Sequence, residues 1–99
     1  MAEKVVVYWR DIPAQVIVKA GRRTAKRQLT ERFEQAIDRA AMRAKLTGTD
    51  AYLEQWRRGE PVPCGDDLEA EASAAAGALE AEFTAERLRE LVANGGVAE

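Results

Sequence analysis

Lys19, Arg22, Arg23, Lys26, Arg27 and Arg32 fall within fourteen consecutive residues. Lysine and arginine at that density are the chemistry of anion binding. Each cation can neutralise a phosphate or carboxylate, and each such contact adds salt dependence. Nucleic acid, an acidic protein patch or a phosphorylated small molecule would all suit the group, as would plain solvation or pairing with the chain's own carboxylates. Tyr8-Trp9-Arg10-Asp11 is a second constellation. A Trp-Arg pair can stack on a ring or grip an anion, or else Trp9 packs in the core and Arg10 meets Asp11 locally. Trp56-Arg57-Arg58 reads more simply, as a core indole followed by arginines at a helix C-terminus. The binding residues expected from these patterns are Trp9, Arg10, Arg22, Arg23, Lys26 and Arg27, with the cations as anion contacts and Trp9 as a supporting surface.

Catalysis is poorly supported. The chain has no histidine, which removes the commonest general base and the commonest metal ligand. Its one cysteine, Cys64, allows neither an internal disulfide nor a thiolate zinc site. Asp66 and Asp67 beside it oppose a thiolate, so an inert thiol is expected. Asp66, Asp67, Glu69 and Glu71 suit the acidic start of a helix better than a cation site, since no calcium loop surrounds them. No glycine-rich phosphate loop or dinucleotide fingerprint is present. No catalytic residue, metal or cofactor is expected.

The chain of 99 residues carries a net charge of −2, so it is one small domain and not a polycation. The balance hides an asymmetry. Residues 1–59 sum to +6 and residues 60–99 to −8. The first part holds most of the large apolar residues and reads as the folding nucleus. The second is acidic and alanine-rich. It either docks on the basic part, the simpler expectation, or is partly mobile, and an acidic segment over a basic surface would compete with an anionic partner. The five-residue apolar run Val5–Trp9 is too short for a signal peptide. No stretch approaches the roughly 20 apolar residues of a membrane helix. A cytoplasmic protein without membrane contact is expected, which also suits a lone thiol.

The elements that must position these residues follow from periodicity. Lys4–Arg10, β-branched and aromatic, reads as a strand too continuously apolar to be half-exposed. It is expected at the centre of a sheet, covered on both faces or capped on one by a partner. After a turn at Arg10–Pro13, Ala14–Lys19 is a second strand, with Val16 and Val18 on one face and Gln15, Ile17 and Lys19 on the other. Gly21 suits a hairpin turn, which would put the basic cluster on and beside its tip. Thr24–Leu29 alternates as a short third strand, or extends the following helix. Thr30-Glu31 is a helix start. A first helix is expected over Glu31–Leu46, ended by Gly48 as its C′ residue, and a second over Ala51–Arg58, capped by Thr49-Asp50. Pro61 and Pro63 mark an extended linker. A third helix opens at Asp66-Asp67 with Leu68, Ala72, Ala75, Leu79 and Phe83 inward. Thr84 caps a fourth, with Leu88, Leu91 and Val92 buried, stopped by Asn94-Gly95-Gly96. The fold class is α+β: a small antiparallel sheet of two to three strands, packed by two helices and followed by two acidic C-terminal helices.

Three runs carry a family resemblance: Val6–Lys19, Leu29–Ala44 and Gly48–Trp56. Over roughly residues 5–58 the chain resembles the small bacterial "virulence factor" domain family. No resemblance is found for residues 60–99. The resemblance brings no active site with it. It implies an accessory protein encoded near folate- and corrinoid-dependent methyl-transfer enzymes, hence a role in one-carbon metabolism, where anionic folate polyglutamates would suit the basic hairpin. The function expected is that of a non-catalytic binding or accessory module. Its partner would be a protein with an acidic surface or an anionic small molecule. A nucleic-acid-binding regulator using the same hairpin is the alternative, although no nucleic-acid-binding signature is visible.

Overall fold

The computed structural model describes residues 2–46 and 50–98. Five strands and four helices follow one another as β1 (Ala2–Trp9), β2 (Ile12–Ala20), β3 (Arg23–Gln28), α1 (Glu31–Arg43), α2 (Asp50–Glu54), β4 (Trp56–Arg58), β5 (Val62–Cys64), α3 (Leu68–Glu82) and α4 (Ala85–Ala93). The fold class is α+β, as the sequence implies.

The sheet is antiparallel throughout and runs β3-β2-β1-β4, with β5 also on β1. β1 is central. On one side it pairs with β2, with a register shift at Val7/Tyr8. On the other, β4 lies against Val7–Trp9 and β5 against Ala2–Lys4. Between those two short strands the Gly59 amide donates to the Val6 carbonyl (2.8 Å). Residues 56–64 are thus one edge strand interrupted near Pro61, whose missing N–H suits an interruption. Gly21 turns the β2–β3 hairpin with φ +61°.

Three expectations are corrected here, and the sheet has five strands where two to three were expected. Trp56–Arg58 is strand, not the end of a second helix. α2 spans only five residues, too few to hold itself together in water, whereas Trp56–Arg58 can bond the edge of β1. The linker around Pro61 and Pro63 likewise supplies β5. The first helix also ends early. Lys45 takes the left-handed C′ conformation (φ +62°), with the Lys45 amide donating to Met42 and the Leu46 amide to Ala41. This is a Schellman ending. Gly48 and Thr49 lie outside the described residues.

The acidic C-terminal part docks. α3 lies across β2 and β3, and α4 packs on α1. The core unites Val16, Val18 and Ala25 of the sheet with Phe33, Ile37 and Ala40 of α1, Leu68, Ala72 and Ala76 of α3, and Leu88 and Leu91 of α4. Phe83, between the last two helices, meets Phe33 edge-on at 6.1 Å. Asp67 and Thr84 cap α3 and α4 by accepting from the Ala70 and Arg87 amides. Thr30 stands at the N-cap of α1 but makes no side-chain cap bond. Its hydroxyl is drawn to Glu80 instead.

Candidate binding surfaces

The structure separates the expected binding residues. Trp9 is fully buried and its indole N–H donates to the Tyr52 carbonyl (3.0 Å). It is a core residue and offers no surface to a partner, a correction that follows from β1 lying at the centre of the sheet. Arg10 does not pair with Asp11. It holds a left-handed backbone (φ +53°), and its guanidinium donates to Gln55 Oε1 and the Gly95 carbonyl, both at 3.1 Å. Asp11 instead takes an ion pair from Arg57 (3.1 Å) and the Ala98 amide (2.6 Å). The Trp9–Asp11 turn is a clasp. It ties β4 and the C-terminal segment to the end of the β1–β2 hairpin.

The basic cluster is real but is not one patch. Strand pairing sets Ala20 opposite Arg23, Val16 opposite Arg27, Ile17 opposite Lys26, and Lys19 opposite Thr24 and Glu3. Residues opposite one another share a face. Arg23 and Arg27 therefore flank Ala25 on the side where α3 packs, Lys19 and Lys26 stand on the reverse face, and Arg22 sits at the tip. All five are exposed, and none makes a side-chain hydrogen bond or ion pair among the described residues. The sixth, Arg32, is spent on Glu80 (3.1 Å) and on the Glu80 and Phe83 carbonyls. Glu80 also accepts the Thr30 amide (2.7 Å) and hydroxyl (2.9 Å). Partial burial pushes the Glu80 carboxyl up, but the Thr30 and Arg32 donors outweigh it and hold the group below its ordinary value.

The reverse face has an apolar centre. Val5, Val7 and Ile17 share it by register and lie outside the main core. Ile17 is nonetheless only 3% exposed, while Val5 and Val7 are partly buried. Arg58, opposite Val7, adds a third exposed cation beside Lys19 and Lys26.

One charged feature escapes the sequence reading. Arg32, Arg39 and Arg43 line one side of a groove between α1 and α4, and Arg89 lines the other. Their spacing along α1 is the available signal, since residues seven and four apart share a helix face.

The virulence factor family model matches residues 7–92. The chain belongs to that family. The match runs from the middle of β1 to the end of α4, so the two acidic helices are part of the family's domain and the resemblance does not stop near residue 58. Comparison with curated proteins and with solved structures gives no match. Within the virulence factor domain, burial pushes the Cys64 thiol up and the neighbouring Glu71 carboxylate adds to this, the opposite of activation. Among the described residues no group of carboxylates and thiols is arranged to hold a metal ion. No helix among them is long and apolar enough to cross a membrane.

Proposed function

We propose that this virulence factor domain is a non-catalytic accessory module that docks an acidic protein surface on the reverse face of its sheet and the tip of its basic hairpin. The observation that carries this reading is the partly buried pair Val5 and Val7 beside Ile17, bordered by Lys19, Lys26 and Arg58, which make no side-chain hydrogen bond or ion pair among the described residues. An apolar centre with a charged border is the usual anatomy of a protein interface. The unbroken apolar run of β1 calls for cover on both faces, yet Val5 and Val7 on this face are only partly buried. Among the described residues no carboxylate forms an ion pair with Lys19, Arg22, Arg23, Lys26 or Arg27, although α3 lies across β2 and β3.

The resemblance to a family met beside folate- and corrinoid-dependent methyl-transfer enzymes makes such an enzyme the first partner to try, with a folate polyglutamate as the small-molecule counterpart. A nucleic-acid-binding role is less favoured by the same face, which among the described residues presents no exposed aromatic side chain for base stacking.

The test is retention of a partner by tagged chain purified from its host with nuclease. Wild type is expected to keep a stoichiometric protein that a Lys26→Glu, Arg58→Glu double variant loses, with both chains equally folded by circular dichroism. Equal retention by the variant would overturn the reading. Loss of the bound material on nuclease treatment, with affinity falling steeply in salt, would replace it with the nucleic-acid alternative.

A further inference from the structure

We propose that the groove between α1 and α4 is a binding site for a small organic phosphate carrying an apolar body. It lies on the helices, away from the reverse sheet face, and stands independently of the accessory role argued above. The two helices run parallel. At one end Arg32 of α1 donates to the Phe83 carbonyl just before α4 (2.6 Å), and at the other Gly95 lies against Ala44. The residue offset is the same at both ends, so Arg89 stands level with the Asp38–Arg39 step of α1. The space between them is about 410 Å³, inside the range of roughly 300–1,000 Å³ found for small-molecule sites.

Ala36, Leu88 and Val92 give the groove its apolar wall, and every charged residue lining it is an arginine. Arg32 is committed to Glu80. Arg39, Arg43 and Arg89 are exposed and make no side-chain hydrogen bond or ion pair among the described residues. Arg39 and Arg43 are one turn apart on the same helix, an arrangement that repels, and Arg89 brings a third positive charge from the facing helix. Favourable placement at a helix C-terminus accounts for Arg43 alone. An anion seated in the groove would relieve the repulsion, and the guanidinium fork matches phosphate oxygens two at a time. The apolar wall is short, with Leu88 and Val92 its only large aliphatic side chains. It suits a compact ring or short chain rather than a peptide helix, which needs an apolar anchor on every turn.

The experiment titrates the ¹⁵N-labelled full chain with 1-naphthyl phosphate, alongside inorganic phosphate and 1-naphthol as the two halves of the probe. The expected result is saturable amide shifts confined to Gln35–Arg43 and Leu88–Ala93, with the intact probe binding about tenfold more tightly than either half. Arg89→Gln and Arg39→Gln should each weaken it by about tenfold, the size of one lost charge-assisted contact. Arg22→Gln, at the hairpin tip, should bind as wild type does. Thermal midpoints close to wild type show that the variants are folded. The proposal is overturned by shifts centred on the hairpin, by an affinity no better than that of inorganic phosphate, or by unchanged binding in both groove variants. Uptake of an acidic amphipathic peptide in place of the naphthyl phosphate would also overturn it, in favour of a protein ligand.

Discussion

Glu80 and Gly96 show how single residues join the two oppositely charged parts of the chain. Glu80 accepts from Thr30 twice and from Arg32, so its folded-state pKa is depressed. A depressed carboxyl contributes stability above its unfolded pKa of about 4.3 and loses it as pH falls through the lower folded value. Glu80→Gln should therefore cost about 1 kcal/mol at neutral pH, a figure kept small because solvent reaches the pair. The gap between variant and wild type in urea midpoint should stay constant from pH 7 to 5 and close below about pH 4. A gap that persists at pH 3 would show that the carboxylate's charge is not the source. Gly96 has φ +94°, and a Cβ there would stand 2.8 Å from the Trp9 ring. Gly96→Ala combines backbone strain with overpacking against a fully buried indole, and should cost about 2–3 kcal/mol, read as a fall in thermal midpoint. At this scale the sequence revealed which residues are charged or conformationally special, but not their partners. Arg10 and Arg32 look alike in the chain as members of basic runs. Only the fold commits one to Gln55 and Gly95 and the other to Glu80, across separations of 45 to 85 residues.

Among the elements, β1, the β2–β3 hairpin and helices α1, α3 and α4 were legible from periodicity and caps. The miss at Trp56–Arg58 has a physical cause. A three-residue strand has no periodicity to detect, and its existence depends on an unpaired edge of β1 that only the assembled sheet provides. The cations of the basic hairpin do not form one patch, because alternation deals them to opposite faces, which linear spacing does not reveal. Those cations also have a structural role at the level of the strand. β3 is an edge of the sheet, and charges on an edge strand block pairing with another molecule. Replacing Lys26 and Arg27 together by valine should leave the monomer folded but prone to associate edge to edge. Sedimentation velocity across a tenfold range of protein concentration should show growth in size for the variant and none for wild type. A variant that stays monomeric would mean that twist or the flanking α3 already protects the edge.

For the whole molecule, the charge asymmetry suggests an acidic extension held electrostatically on a basic nucleus, and the structure gives a different cause. Among the described residues one ion pair, Arg32–Glu80, links the two parts; the other two lie within them. Docking rests on apolar burial. Leu68, Phe83, Leu88 and Leu91, all nearly or fully buried, come from the C-terminal part, together with the small side chains Ala72 and Ala76 that let α3 sit close on the sheet. At about 1.5–3 kcal/mol for each large apolar side chain, the four contribute roughly 6–12 kcal/mol. That is comparable with the entire stability of about 5–15 kcal/mol expected of a domain. A chain ending at Gly59 would also lose β5 and uncover Val16, Val18 and Ala25. It should be unfolded, with no cooperative thermal transition and with Trp9 fluorescence shifted to that of a solvated indole. The full chain should keep its thermal midpoint nearly unchanged between 50 mM and 1 M salt, where an electrostatically held extension would separate as screening shortens the reach of its charges to about 3 Å. A folded 1–59 fragment, or a midpoint that collapses in salt, would make the acidic helices a detachable cover over the basic face rather than half of one core.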